Sequence, residues 1–136
     1  MQADGCVFCK ILDGELPADV VAQSDRALAF ADINPATRGH TLVIPRKHVA
    51  DVHEISERDL VAVALLAKEV ADRARERLGA DGVNLLHSAG RAAWQVVFHF
   101  HIHVIPRYVG DPLRLPWVST PGEQTEIASA AAALRG

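Results

Sequence analysis

The sequence predicts an α+β fold: a mainly antiparallel sheet of about five strands carrying one long helix, with a further helix at the carboxyl terminus. Three observations carry this expectation. Apolar side chains recur at three-four spacing from Leu60 to Leu78, as one buried helix face requires. Short apolar or β-branched runs bounded by turn formers recur along the chain. The first two runs, Val20 to Ala22 and Ala27 to Ala31, are separated only by the polar Gln23-Ser24-Asp25-Arg26, which makes them a hairpin.

Taken in order, residues 6–13 read as a short helical turn or knuckle, closed by Gly14 and by the turn at Leu16-Pro17. After the hairpin, Asn34-Pro35 breaks the chain, and His40 to Pro45 forms a third strand. Ser56-Glu57-Arg58-Asp59 has the form of a capping box, and Gly79 stops the long helix. Val61, Leu65 and Leu66 widen its apolar surface, which predicts a second contact there, either a homodimer interface or a covering loop. Gly82 to His87 gives a fourth strand and residues 99–105 a fifth. The tail is loop-like through Pro112 and Pro116, and the last helix is expected to start at Thr120-Pro121, with a Thr N-cap and Pro in the first helical position.

With 136 residues the chain is long enough for one domain over 1–136 with a core of its own. A formal charge of -3, with basic residues scattered among acids, argues against a surface for a nucleic-acid polymer. No apolar run approaches the roughly 20 residues of a membrane span, and the start carries no basic or long apolar signal segment, so no membrane partner and a cytoplasmic location are expected. Cys6 and Cys9 stand in Cys-x-x-Cys spacing. In a reducing compartment such a pair is a metal half-site or a redox dithiol rather than a structural disulfide, and zinc would take its other two ligands from the histidines.

The densest chemistry lies in His99-Phe100-His101-Ile102-His103-Val104-Ile105. In a strand Phe100, Ile102 and Val104 would enter a core, while the three imidazoles would share the other face. Imidazole titrates near neutral pH, binds metals and attacks phosphorus or acyl centres. An expression tag would be terminal and would lack the intervening apolar residues.

These residues resemble the signature of the histidine triad (HIT) family of nucleotide hydrolases and transferases, with which 99–105 agrees at every position. Cys6 to Ile11, Gly14 to Pro17, Phe30 to Ile33, Gly39 to Pro45 and Lys47-His48 resemble family segments in family order. The resemblance implies a curved antiparallel sheet carrying one long helix, usually paired into a homodimer through a continuous sheet. It implies that His101 attacks the α-phosphorus of a purine nucleotide to give a nucleotidyl-histidine, that His103 faces the phosphate oxygens, and that Asp32 receives the ribose hydroxyls. A neutral imidazole attacks only if one ring nitrogen is bare and the other proton is held by an acceptor; a backbone carbonyl, with His40 nearby, would provide that. Asp32 also has a plainer reading as a turn aspartate before Asn34-Pro35. The expected catalytic set is His101, His103 and His40, and the expected nucleotide-binding set is Asp32, Ile33, Ser88 and Gln95 with His101 and His103.

Zinc-bearing, bacterial-type members imply a structural Zn2+ held by Cys6, Cys9, His48 and His99. An ideal strand would put His99 on the face of His101, so His99 must stand where the backbone turns. His53 and His87 are expected to be ordinary surface or core histidines. At two positions the chain departs from the family: Ser88 replaces an amide that contacts phosphate, and Val96 replaces a hydroxyl that supports the leaving group. The implied activity is cleavage of AMP or GMP from a phosphoanhydride or phosphoramidate. Alternatives are a dinucleoside polyphosphate hydrolase of the same fold, or a nucleotide-binding sensor or scaffold with negligible turnover.

Overall fold

The computed structural model describes residues 3–136. Its elements run α1 (Val7–Leu12), β1 (Val20–Gln23), β2 (Ala27–Ala31), β3 (Thr41–Pro45), α2 (Glu57–Leu78), β4 (Gly82–Leu86), a 3-10 turn (Arg91–Ala93), β5 (Ile102–Arg107) and α3 (Gln124–Arg135). The five strands form one antiparallel sheet in the order β1-β2-β3-β5-β4. No helix among the described residues is long and apolar enough to cross a membrane.

β2 and β3 are covered on both faces, and their sequences divide the work by alternation. Ala27, Ala29 and Val43 face α2 and meet Val63, Leu66, Ala67 and Val70, joined by Phe100 and Val104. Small alanines on that face let the helix lie close to the sheet. The larger Leu28, Phe30, Leu42 and Ile44 point the other way, where Phe8 of α1 completes a second cluster. Because the side-chain period of a strand is two, one sequence run builds both layers. Truncating a residue such as Leu66 to Ala at this junction costs about 2–5 kcal/mol.

α2 begins and ends where its caps place it. Ser56 Oγ accepts the Asp59 N–H at 3.1 Å, and Gly79 closes the helix in the left-handed conformation at φ 69°. The expected box is only half made. The Asp59 carboxylate turns instead to Arg26 Nε at 2.6 Å, tying the β1–β2 turn to the start of the helix. The second apolar stripe also needs correction: Leu66 belongs to the main core, whereas Val61 and Leu65 are exposed.

Two expected boundaries move. The fifth strand starts at Ile102 rather than at residue 99, because the Phe100 N–H leaves the ladder for Val49 O at 2.7 Å. The last helix starts at Gln124 rather than at Pro121. Glu123 is its N-cap and accepts the N–H groups of Thr125 and Glu126, which a carboxylate does more strongly than the Thr120 hydroxyl.

Candidate active site and metal centre

The bend ahead of β5 separates three histidines that a regular strand would have aligned. His99 is fully buried, and its Nε2–H donates to Pro45 O at 2.9 Å. That bond fixes the tautomer and leaves Nδ1 bare. Nδ1 stands 3.5 Å from Cys6 Sγ, 3.6 Å from Cys9 Sγ and 3.2 Å from His48 Nδ1, and Cys9 Sγ lies 3.3 Å from His48 Nδ1. All four ligand atoms lie within 4.8 Å of one another. Zinc bond lengths give a tetrahedron with edges of about 3.3–3.8 Å, so the spacing and the donor chemistry both fit a four-coordinate metal. α1 brings the cysteines there: Cys6 is its N-cap, and Cys9 sits on its buried face. Burial pushes the Cys9 thiol up and the His99 imidazole down to about 4, so both favour the neutral form without a cation.

His101 is turned to a different task by the same bend. Its Nδ1–H donates to the carbonyl of His99 at 2.7 Å, which leaves Nε2 bare. The ring packs edge-on against Phe8 with centroids 5.2 Å apart, and burial keeps its pKa low, so it is an uncharged imidazole with a free lone pair.

His103 pairs with Leu42 across β3 and β5, and its Nδ1 meets His40 Nε2 at 2.9 Å. His40 Nδ1 accepts the Ala36 N–H at 2.9 Å, so His40 carries its proton on Nε2 and donates it to His103. His103 in turn keeps its own proton on Nε2, as a donor for an incoming oxygen. Burial first, then its neighbours His101 and His40, push His103 down to about 4. Burial also lowers His40, against the opposing pull of Asp32.

His101 and His103 line a cleft of about 660 Å³. Phe8, Ile11, Phe30 and Leu42 make an apolar wall, and Asp32, Ile33 and Asn34 make one rim. This combination of an apolar body with a few convergent polar groups is the usual form of a small-molecule site. Asp32 caps the turn and also lines the cleft. Its Oδ1 accepts the Asn34 N–H at 2.8 Å as a turn aspartate, while Oδ2 stands 3.5 Å from His40 Nε2 at the cleft.

Two residues of the expected nucleotide-binding set are not in the lining of the cleft. Ser88 is not among the residues lining the cleft. Gln95 is buried with its amide occupied: Oε1 accepts the Gly90 N–H at 2.7 Å, and Nε2 donates to Ala50 O at 2.7 Å and Val97 O at 3.1 Å. These bonds tie the 90–97 loop to Ala50 from within.

His87 is more than a filler histidine. Its ring stacks on Phe100 with centroids 4.3 Å apart. Nε2 accepts the Val52 N–H at 3.1 Å, so Nδ1–H donates to the carbonyl of His101 at 3.0 Å. Only the fold brings residue 87 to residue 101; nothing in the local pattern signals it. His53, by contrast, is exposed, and its backbone N–H bonds Asp51 Oδ1.

Trp94 is the other feature the sequence does not announce. It is the one non-glycine residue among those described with a positive φ, 72°, a conformation that costs a bulky residue about 1–3 kcal/mol.

Comparison with known proteins agrees with this architecture. A HIT-like protein of Methanocaldococcus jannaschii, itself uncharacterized, is 45% identical over 106 residues, which is 78% of this chain and 81% of that protein. Adenosine 5'-monophosphoramidase hnt1 of Schizosaccharomyces pombe is 38% identical over 123 residues, 90% of either chain. The crystal structure of a zinc-bound histidine triad family protein from Mycobacterium smegmatis superposes with a TM-score of 0.78 at 40% identity, covering 96% of this chain and 94% of that one. The HIT domain model matches residues 13–110, most of the chain and the whole row of histidines, and on these grounds the chain belongs to the HIT family.

Proposed function

We propose that this protein is an enzyme that cleaves a nucleoside monophosphate, AMP or GMP, from a phosphoanhydride or phosphoramidate. The observation that carries this reading is the His101 ring, whose proton is committed to His99 O at 2.7 Å while its other nitrogen is free at the cleft. In the first step Nε2 attacks the α-phosphorus, a P–N bond forms, and the bond to the leaving group breaks with its electron pair departing on oxygen or nitrogen. Water then attacks phosphorus, releases the nucleoside monophosphate and restores the imidazole. His103 Nε2–H is suited to donate to a phosphoryl oxygen as charge builds on it, and His40 holds that proton in place. The apolar wall takes the base with Ile33, and the Asp32 carboxylate suits the ribose hydroxyls because it accepts two donors.

The Cys6, Cys9, His48 and His99 set is read as a structural zinc site, since two thiolates and two imidazoles fill a tetrahedron and leave no position for water. A bound zinc would supply cross-linking of α1 to the start of β5, and no reaction step passes through it. The chain is also read as a cytoplasmic homodimer. Support for the dimer comes from β4, an exposed strand at the sheet edge with Val83, Leu85 and Leu86 open, and from exposed Val61 and Leu65 on α2.

The test is to quench wild-type protein during turnover of a fluorogenic adenylate and look for AMP mass on the peptide carrying His101. His101→Ala should bind AMP as wild type does and turn over nothing. Turnover by His101→Ala within tenfold of wild type would mean another nucleophile.

A further inference from the structure

The 91–97 loop carries a feature that phosphoryl transfer does not use. Trp94 ends the 3-10 turn in the left-handed region, φ 72° and ψ 24°, with its N–H donating to Arg91 O at 3.0 Å. A bulky residue holds such a conformation when its surroundings impose it or when function employs the result. Burial is no compensation here, because Trp94 is 60% exposed. Its ring lies nearly parallel to that of Trp117, with centroids 6.5 Å apart and planes at 13°, and Trp117 is 54% exposed as well. The only two tryptophans of the chain are thus stacked on one another at the surface. Trp94 also lines the same cleft as Asp32, His101 and His103.

An indole face that is open to solvent and held in orientation by a second indole is a platform for a planar ring. Stacking of this kind accepts any base or arene, since each has a π face. The wall built by Phe8, Phe30 and Leu42 already provides for one apolar ring, so Trp94 is a second place for one. We propose that Trp94, steadied by Trp117, is a second subsite of the cleft that takes a planar aromatic group on the leaving portion of the substrate. This rests on the reading of the cleft as a nucleotidyl-transfer site. The planar group has two chemical sources: a second nucleobase joined through phosphates, or an aromatic amine joined through a P–N bond. Stacking is the same before and during bond cleavage, so the subsite acts on affinity rather than on kcat.

The experiment measures dissociation constants by calorimetry in His101→Ala protein, which is expected not to consume its ligands. One arm compares diadenosine triphosphate with the methyl ester of adenosine triphosphate, which carries the same charge but no second base. The other compares adenosine phosphoramidates of benzylamine and cyclohexylmethylamine, similar in size but only one of them planar. The expected result is about tenfold tighter binding of the planar member in at least one arm, and the arm that responds identifies the source. Adding Trp94→Gly, which suits the backbone, should bring the planar-to-non-planar ratio to near one. Trp117→Leu, which leaves the cleft wall intact, should reduce it. A ratio near one in both arms, or a ratio unmoved by both variants, overturns the subsite. Wild-type turnover is assayed separately: failure to cleave any of these compounds sinks the nucleotidyl-transfer reading and leaves the binding comparison intact.

Discussion

The imidazoles of His40 and His103 meet through Nε2 and Nδ1 at 2.9 Å, and the Ala36 N–H decides which of them gives the proton. The proton that faces the cleft on His103 is therefore set by a backbone group in the loop before β3. His103→Ala should lower kcat by about 10²- to 10³-fold, the usual effect of removing one donor to a developing charge. His40→Ala should act through His103 and cost about 10- to 100-fold, as loss of an orienting partner typically does. Steady-state kinetics checks both; a His40→Ala defect confined to KM would show that His40 serves binding alone.

The acid side of the pH profile should extend well below the ordinary histidine range. Burial first, then the neighbouring His101 and His40, hold His103 down to about 4 against the opposing pull of Asp32, with His87 adding a little to the lowering. Protonation of Nδ1 would set two N–H groups against each other at the His40 contact, so activity should fall as His103 charges, as it should when His101 charges, whose pKa burial also lowers. Stability follows the same sign. Between about 4 and 6.5 the unfolded chain binds more protons than the folded one at this site, so stability falls as pH drops through that window. Asp32→Asn removes the opposing carboxylate and should shift the acid limb lower still. A limb at 6.5 or above in wild type would contradict a neutral His103.

Protein purified without chelator should carry one zinc per chain by elemental analysis. Removing it should lower the thermal midpoint by about 10 °C or more, because a closed Cys/His site contributes directly to folding energy. Cys9→Ser should lose the metal and behave like the stripped protein. An unchanged midpoint in chelator, with no metal found, would leave the cluster as thiol–imidazole pairs.

His87→Ala should lower kcat by about 10- to 100-fold with little change in KM, since a displaced His101 backbone misaims the ring. His87→Asn can still donate to the His101 carbonyl and should recover most of that loss. If His87→Asn and His87→Ala are equally impaired, the stack on Phe100 rather than the hydrogen bond is what matters.

Val96 is 85% exposed and lines the cleft, where it has no proton to give a departing group. Phosphate leaves as a stable anion, whereas an amine needs protonation, help typically worth about 10²- to 10⁴-fold. Val96→Ser should therefore raise kcat/KM for phosphoramidates and leave phosphoanhydrides nearly unchanged. An equal effect on both substrate types would falsify this account of leaving-group selectivity.

Where local chemistry decides structure, the sequence was legible. Ser56 and Gly79 bracket α2, Val20 to Ala22 and Ala27 to Ala31 pair as a hairpin, and the alternation around Phe100 and Val104 puts His101 and His103 on the cleft side. The need for a turn at His99 was also visible, because one strand face cannot hold both a ligand beside the cysteines and a nucleophile at the cleft. What stayed hidden depends on partners distant in sequence. Asp59 leaves its capping box because Arg26 is within reach, Gln95 turns inward because Ala50 O and Gly90 N–H await it, and His87 finds His101 only once β4 pairs with β5. Trp94 was hidden for another reason: its left-handed backbone contradicts the residue's own preference, so no propensity argument leads to it.

Residue 99 uses both of its polar ends, the ring toward the cysteines and the carbonyl toward His101. Heritable change at this position is therefore pleiotropic. A substitution of His99 costs the Cys/His cluster a ligand and also removes the ring's bond to Pro45 O, one of the bonds that place the carbonyl facing His101. A lineage that discards the cysteines would still hold that stretch of backbone by the His99 ring on Pro45 O and the Phe100 N–H on Val49 O, whereas one that replaces His99 gives up the first of these together with the ligand.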